Sequence, residues 1–139
     1  MSVVMRLFFW LDMVLLALAL NIATALAGES DEQLAVAFAN QQRNLQIQGE
    51  GLVSAMLPDD TTGSQHQRFI LRLTSGQSLL IAHNIDLAPR IADLNIGDRV
   101  EFYGEYEWNP EGGVVHWTHH DPDGRHAAGW LRHNGKLYQ

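Results

Sequence analysis

Between His116 and His126 the chain places four of its seven histidines, together with Trp117, Asp121 and Asp123, in eleven residues. Imidazole and carboxylate bind metal ions, move protons near neutral pH and recognise polar ligands, so a functional reading must pass through this segment. On an extended strand, His116, Thr118 and His120 would face one side and Trp117 and His119 the other. Histidines four residues apart on a strand lie about 13 Å apart at Cα, too far for one metal ion unless the chain bends. Asp121-Pro122-Asp123-Gly124 favours a tight reversal, which makes it easier for His119 or His120 to meet an aspartate. The candidate metal ligands are therefore His116, His119, His120 and Asp121. Their donor atoms suit a divalent transition metal such as zinc, although the spacing matches no named zinc motif. The plain alternative is an exposed polar loop whose groups satisfy one another.

A second polar constellation, His83-Asn84-Ile85-Asp86, stands where a strand leaves its sheet. His83 is the candidate catalytic residue, a general base or ligand oriented by Asp86 if the fold brings it near His116 or His119. In the plain alternative Asp86 caps a short helix. Candidate ligand-binding residues are His66, Arg68, His83, Asp86 and Trp117. Glu101, Glu105 and Glu107 alternate with apolar neighbours and read as a solvated strand face. The chain has no cysteine, no serine in a nucleophile elbow and no phosphate-binding glycine loop.

The elements that must position these groups are mostly strands. Leu45 to Leu57 alternates with period two and carries Gly49 and Gly51, as a strand does when it coils sharply at a barrel corner. His66–Thr74 alternates again, Ser75-Gly76 reads as a hairpin turn, and Gln77–Ala82 is a third strand. Asp86–Leu94 is expected as a short helix with Pro89 in its first turn. Arg99–Trp108 is a strand with Val100, Phe102, Gly104 and Tyr106 inward, and Val114–Thr118 is a fifth, running straight into the histidine segment. The tail from Gly129 carries Trp130, Leu131, Leu137 and Tyr138 and is expected to pack on the barrel. The order matches an all-β fold with minor helices, a small five-stranded OB-fold-like Greek-key barrel. Its ligand face would span residues 58–82 and 109–113.

The N-terminus reads as an export signal over residues 1–27. Arg6 precedes an apolar run from Leu7 to Leu20, and Ala25-Leu26-Ala27 is a cleavage site. Asp12 interrupts the run; a charge at bilayer depth costs about 2.5 to 3.5 kcal/mol on insertion scales, which leaves an uncleaved anchor as the second reading. Ser30 through Gln33 form a capping box opening a short helix within residues 28–44, followed by the barrel over 45–139. Cleavage places the protein in the periplasm or outside the cell with no stable membrane span. Loss of Arg6 and Asp12 leaves the net charge of −7 unchanged. That balance opposes nucleic acid, because proteins that bind phosphates present a basic face. With no disulfide to help, a hydrophobic core must hold the exported domain alone.

Several runs match a known family in order: His66-Gln67-Arg68-Phe69, His83 through Arg90, Gly104 through Asn109, and His116-Trp117-Thr118-His119-His120-Asp121-Pro122. The chain resembles the bacterial domain of unknown function 3465 family, small exported proteins marked by the same His-Trp-Thr-His-His-Asp-Pro run. The likeness covers nearly all of residues 45–139. It implies export and brings no activity with it.

Three readings follow from the residues. The first is a non-enzymatic cell-envelope module binding a polar small molecule, a glycan or a metal through the His/Asp segment. The second is a metal-dependent hydrolase of phosphodiesters using the same cluster, with His83 as proton acceptor. In the third, the segment is a polar clamp that docks the tail.

Overall fold

The computed structural model describes residues 3–139, with side chains from Trp10 onward except Ala23. The Arg6 end of the expected export signal lies outside the described side chains. A single helix, α1, runs Val3–Ala39, longer than the short helix the sequence suggests. Ser30 does not cap a new helix. It lies within α1, and its Oγ donates to the Leu26 carbonyl at 3.1 Å. Gly28 is carried through at a cost of about 1 kcal/mol relative to alanine. Within α1, Trp10–Ala39 is long and apolar enough to cross a membrane. Its C-terminal end instead meets the barrel: Leu34 and Ala37 are fully buried, and Asp31 accepts the Ser75 amide at 2.9 Å. Phe38 stacks on Trp108.

Seven strands follow: β1 Leu45–Asp60, β2 His66–Arg72, β3 Ser78–Asn84, β4 Arg99–Glu107, β5 Val114–His116, β6 Trp130–His133 and β7 Lys136–Tyr138. The first five close into a ring. β1 pairs antiparallel with β4 through Leu52 and with β2 from Leu52 onward, so one long strand serves two partners around the corner. β3 meets β5 in parallel, Leu80 opposite Val114, and β5 returns antiparallel to β4. Gly49 permits the coiling, since a Cβ there would lie 2.6 Å from the Phe102 ring. The ring and its N-terminal helix agree with the expected all-β class.

The period-two pattern sorts the core as read. Phe69 and Leu71 of β2, Leu79 and Ile81 of β3, and Val100, Phe102 and Tyr106 of β4 are fully buried. Each such side chain contributes about 1.5–3 kcal/mol by leaving water. The tail is more ordered than expected. It forms the β6–β7 hairpin, which extends the sheet beyond β4 with Phe102 opposite Leu131.

One expected element is not formed. Asp86–Leu94 holds turns rather than a helix. The backbone groups a helix would pair are bonded to side chains. Buried Gln67 donates to the Ile91 carbonyl and accepts the Ile91 amide, both at 2.9 Å, and the Pro89 carbonyl binds His83 Nε2. Such local alternatives compete directly with helical hydrogen bonds. β5 also ends at His116, two residues short of expectation.

Candidate functional site

The histidine segment leaves the sheet because Trp117 takes a left-handed backbone conformation, φ 55°. Gly104 on β4 lets it stay close: a Cβ there would sit 2.5 Å from the His116 carbonyl oxygen. Thr118 and His119 are consequently buried, while His120 is exposed. Asp121 then organises the reversal. Its carboxylate accepts the amides of Asp123 at 3.0 Å and of Arg125 and His126, both at 2.8 Å. These backbone bonds, that from Asp123 foremost, hold its pKa below the ordinary value. The Gly129 amide finally donates to the His119 carbonyl, delivering the chain to β6. Asp121 and the backbone carbonyl of His119 therefore hold this reversal in place.

His83 lies in the interior with no exposed surface. Its Nε2 is 2.9 Å from the Pro89 carbonyl, which can only accept, so Nε2 carries the proton. Nδ1 then accepts from the Thr118 hydroxyl at 2.7 Å. Both nitrogens of a neutral ring are thereby used. Burial pushes the ring's pKa from 6.5 down to about 4, with the Pro89 carbonyl opposing and His119 and His66 adding to the drop. The arrangement offers no free lone pair for a general base. Nor does Asp86 orient the ring: Asp86 Oδ2 accepts the Gln65 amide at 2.9 Å.

On the outer face of β4, Glu105 stands opposite His116 of β5, and Glu107 lies two residues along on the same face. Glu105 Oε1 is 3.8 Å from His116 Nε2, and Glu105 Oε2 is hydrogen-bonded to His126 Nε2. His126 stacks on Trp117 with ring centroids 4.1 Å apart and donates from Nδ1 to the Ala127 carbonyl at 2.9 Å. Burial works against a charged His126, but the Glu105 and Ala127 acceptors hold its pKa above the usual value. Glu105 shows the converse: burial raises it, while contacts with His126, Glu107 and His116 leave it below the usual carboxylate value. His116 moves the other way, burial outweighing its two acidic neighbours, so that its ring favours the neutral form. His116 Nε2 is inaccessible to solvent and has no hydrogen-bond partner.

Beside this cluster a cleft of about 210 Å³ opens between His66, Asn84, Leu87, His116, Trp117 and His119. His66 Nδ1 is also buried without a partner. His119 donates from Nδ1 to the His120 carbonyl at 2.7 Å, which leaves the lone pair of its neutral ring on Nε2. The cleft is thus a small space walled by three imidazoles and an indole.

The structure brings together His66, His116, His119 and Trp117 of the expected residues. It does not bring together the expected metal set: Asp121 is committed to its own turn, and His120 points to solvent. Arg68 binds the Pro58 carbonyl through Nε at 3.0 Å, away from the cleft. Glu105, Glu107 and His126 are the residues sequence reasoning missed. A signal was present: counting outward from the Asn109–Gly113 turn pairs Glu107 with Val114 and Glu105 with His116, so the supposed solvated face meets the histidine segment.

The family described as Protein of unknown function (DUF3465) matches residues 14–139, and the chain belongs to it. No curated protein matches the chain.

Proposed function

We propose that this domain is a non-enzymatic binding module of the cell envelope whose ligand enters the cleft between His66, His116, His119 and Trp117. The carrying observation is the pair of buried imidazole nitrogens without partners, His66 Nδ1 and His116 Nε2. A buried polar atom left unpaired costs about 1–3 kcal/mol, and a polar ligand that engages both recovers that cost. The cleft is small, so it suits a compact polar molecule, one sugar unit of a glycan, or an ion. Closure of the ring with β3 parallel to β5 supports an OB-fold reading of the barrel, and the apolar N-terminal helix supports export to the periplasm or beyond. His83 and Asp86 act behind the cleft as structural residues.

Screening the full chain by thermal shift against divalent metals, small glycans and oligonucleotides tests this. The expected result is a stabilising ligand whose effect disappears in His66→Ala. A wild-type chain that responds to nothing, or one whose every response is indifferent to His66, sinks the reading. The hydrolase reading draws on the carboxylate cluster beside His116 and differs by requiring turnover of a phosphodiester.

A further inference from the structure

We propose that Glu105, Glu107 and His116 form a binding site for a divalent first-row transition-metal ion at the rim of the cleft. This goes beyond the binding-module reading: the site shares only His116 with the cleft, and His66 is not among its donors. Among the described residues, one carboxylate oxygen from each glutamate and one imidazole nitrogen all lie within 4.8 Å of one another. Donors around an ion at about 2.0–2.2 Å stand about 3–4 Å apart, so small side-chain rotations complete the shell.

Three features separate this group from an ordinary surface cluster. The first is rigidity: the donors sit on adjacent, directly paired strands of a closed ring, and rigid elements hold a site better than loops. The second is the gap at His116. Its Nε2 is buried and unpaired at 3.8 Å from Glu105 Oε1, too long for a hydrogen bond and suited to a shared cation. The third is the surrounding shell. His126 binds the other oxygen of Glu105 and is itself stacked on Trp117, which orients the carboxylate as outer partners do at metal centres.

Asn44 adds a fourth donor or a competitor. One terminal atom of its side-chain amide lies 2.9 Å from Glu107 Oε1 and 3.1 Å from Glu105 Oε1. With nitrogen there, Asn44 bridges the two carboxylates in the metal-free protein. Turned over, it places a carbonyl oxygen beside them, a ligand for a cation. The backbone amide of Asn44 donates to Glu107 Oε1 at 3.1 Å, and Arg43 reaches Glu107 Oε2 at 3.6 Å. The imidazole selects against magnesium and calcium, which prefer all-oxygen shells, and the lack of thiolate selects against copper(I).

Isothermal titration of the full chain, stripped with chelator and then given zinc chloride, tests the site. Wild type binds one equivalent, magnesium does not compete, and Glu107→Gln and His116→Gln each weaken affinity at least about 100-fold. His126→Ala, which removes the partner orienting Glu105, loses about 10–100-fold, and His120→Ala binds as wild type. Glu107→Gln replaces a partly exposed group, and its zinc-free melting curve separates lost binding from lost folding. Absence of zinc binding by wild type overturns the inference, as does binding that survives both Glu107→Gln and His116→Gln. If zinc fails while a polar ligand still stabilises the chain through His66, this site is refuted and the cleft reading stands.

Discussion

Lowering the pH should unfold this protein partly through His83, whose contribution can be isolated. The folded ring binds its second proton only near pH 4, against 6.5 ordinarily. Between those values the unfolded chain takes up a proton that the native chain refuses. His83 therefore adds nothing to the pH dependence above 6.5, destabilises progressively as pH falls from 6.5 to 4, and levels off below. The slope approaches about 1.4 kcal/mol per pH unit, and the full depression integrates to about 3 kcal/mol. The cause is structural: protonating Nδ1 places a charge where no solvent reaches and forces the Thr118 hydroxyl to turn from donor to acceptor. Urea unfolding followed by tryptophan fluorescence, at pH values from 7.5 to 4, should be run on wild type and His83→Gln. Subtracting one stability profile from the other cancels the remaining histidines. The difference should grow toward acid across this window, with wild type losing more. Parallel profiles would refute the claim that His83 is held neutral.

Other outcomes follow from the same contacts. Thr118→Val keeps the shape and leaves His83 Nδ1 a buried acceptor with no donor, a loss of about 1–3 kcal/mol in urea-derived stability. Gly104→Ala drives a methyl into the His116 carbonyl, 2.5 Å away, and should cost about 1–3 kcal/mol while displacing His116 from Glu105 in amide spectra. Asp121→Ala releases the amides of Asp123, Arg125 and His126, so hydrogen exchange at those three positions should accelerate while β2 and β3 exchange as before. Phe102→Ala empties the space beside Gly49 and should cost about 3–5 kcal/mol by thermal or urea unfolding.

The barrel was legible because its information is local and repetitive. Alternation of Phe69, Leu71 and Leu73, and of Val100, Phe102 and Tyr106, assigns the inward faces directly, and Gly49 and Gly51 mark the corner. The missing helix at Asp86–Leu94 was not legible, since its backbone partners come from Gln67 and His83, distant in sequence. The site was half legible. His66, His116, His119 and Trp117 stood out by residue type, but a strand continued through Thr118 gives the wrong faces once Trp117 turns left-handed. Glu105 and Glu107 read as solvated because alternation reports which side of the sheet a residue faces and not what covers that side. His126 was grouped with the motif by proximity, while its partner Glu105 becomes apparent only through strand register.

Nitrogen-15 spectra of the histidine rings address the central claim most directly, since they report each imidazole nitrogen separately. Upon addition of the ligand that stabilises the chain, His66 Nδ1 and His116 Nε2 should shift, and the doubly bonded His83 ring should hold still. Movement confined to His120 or His83, with His66 and His116 unchanged, would contradict the account.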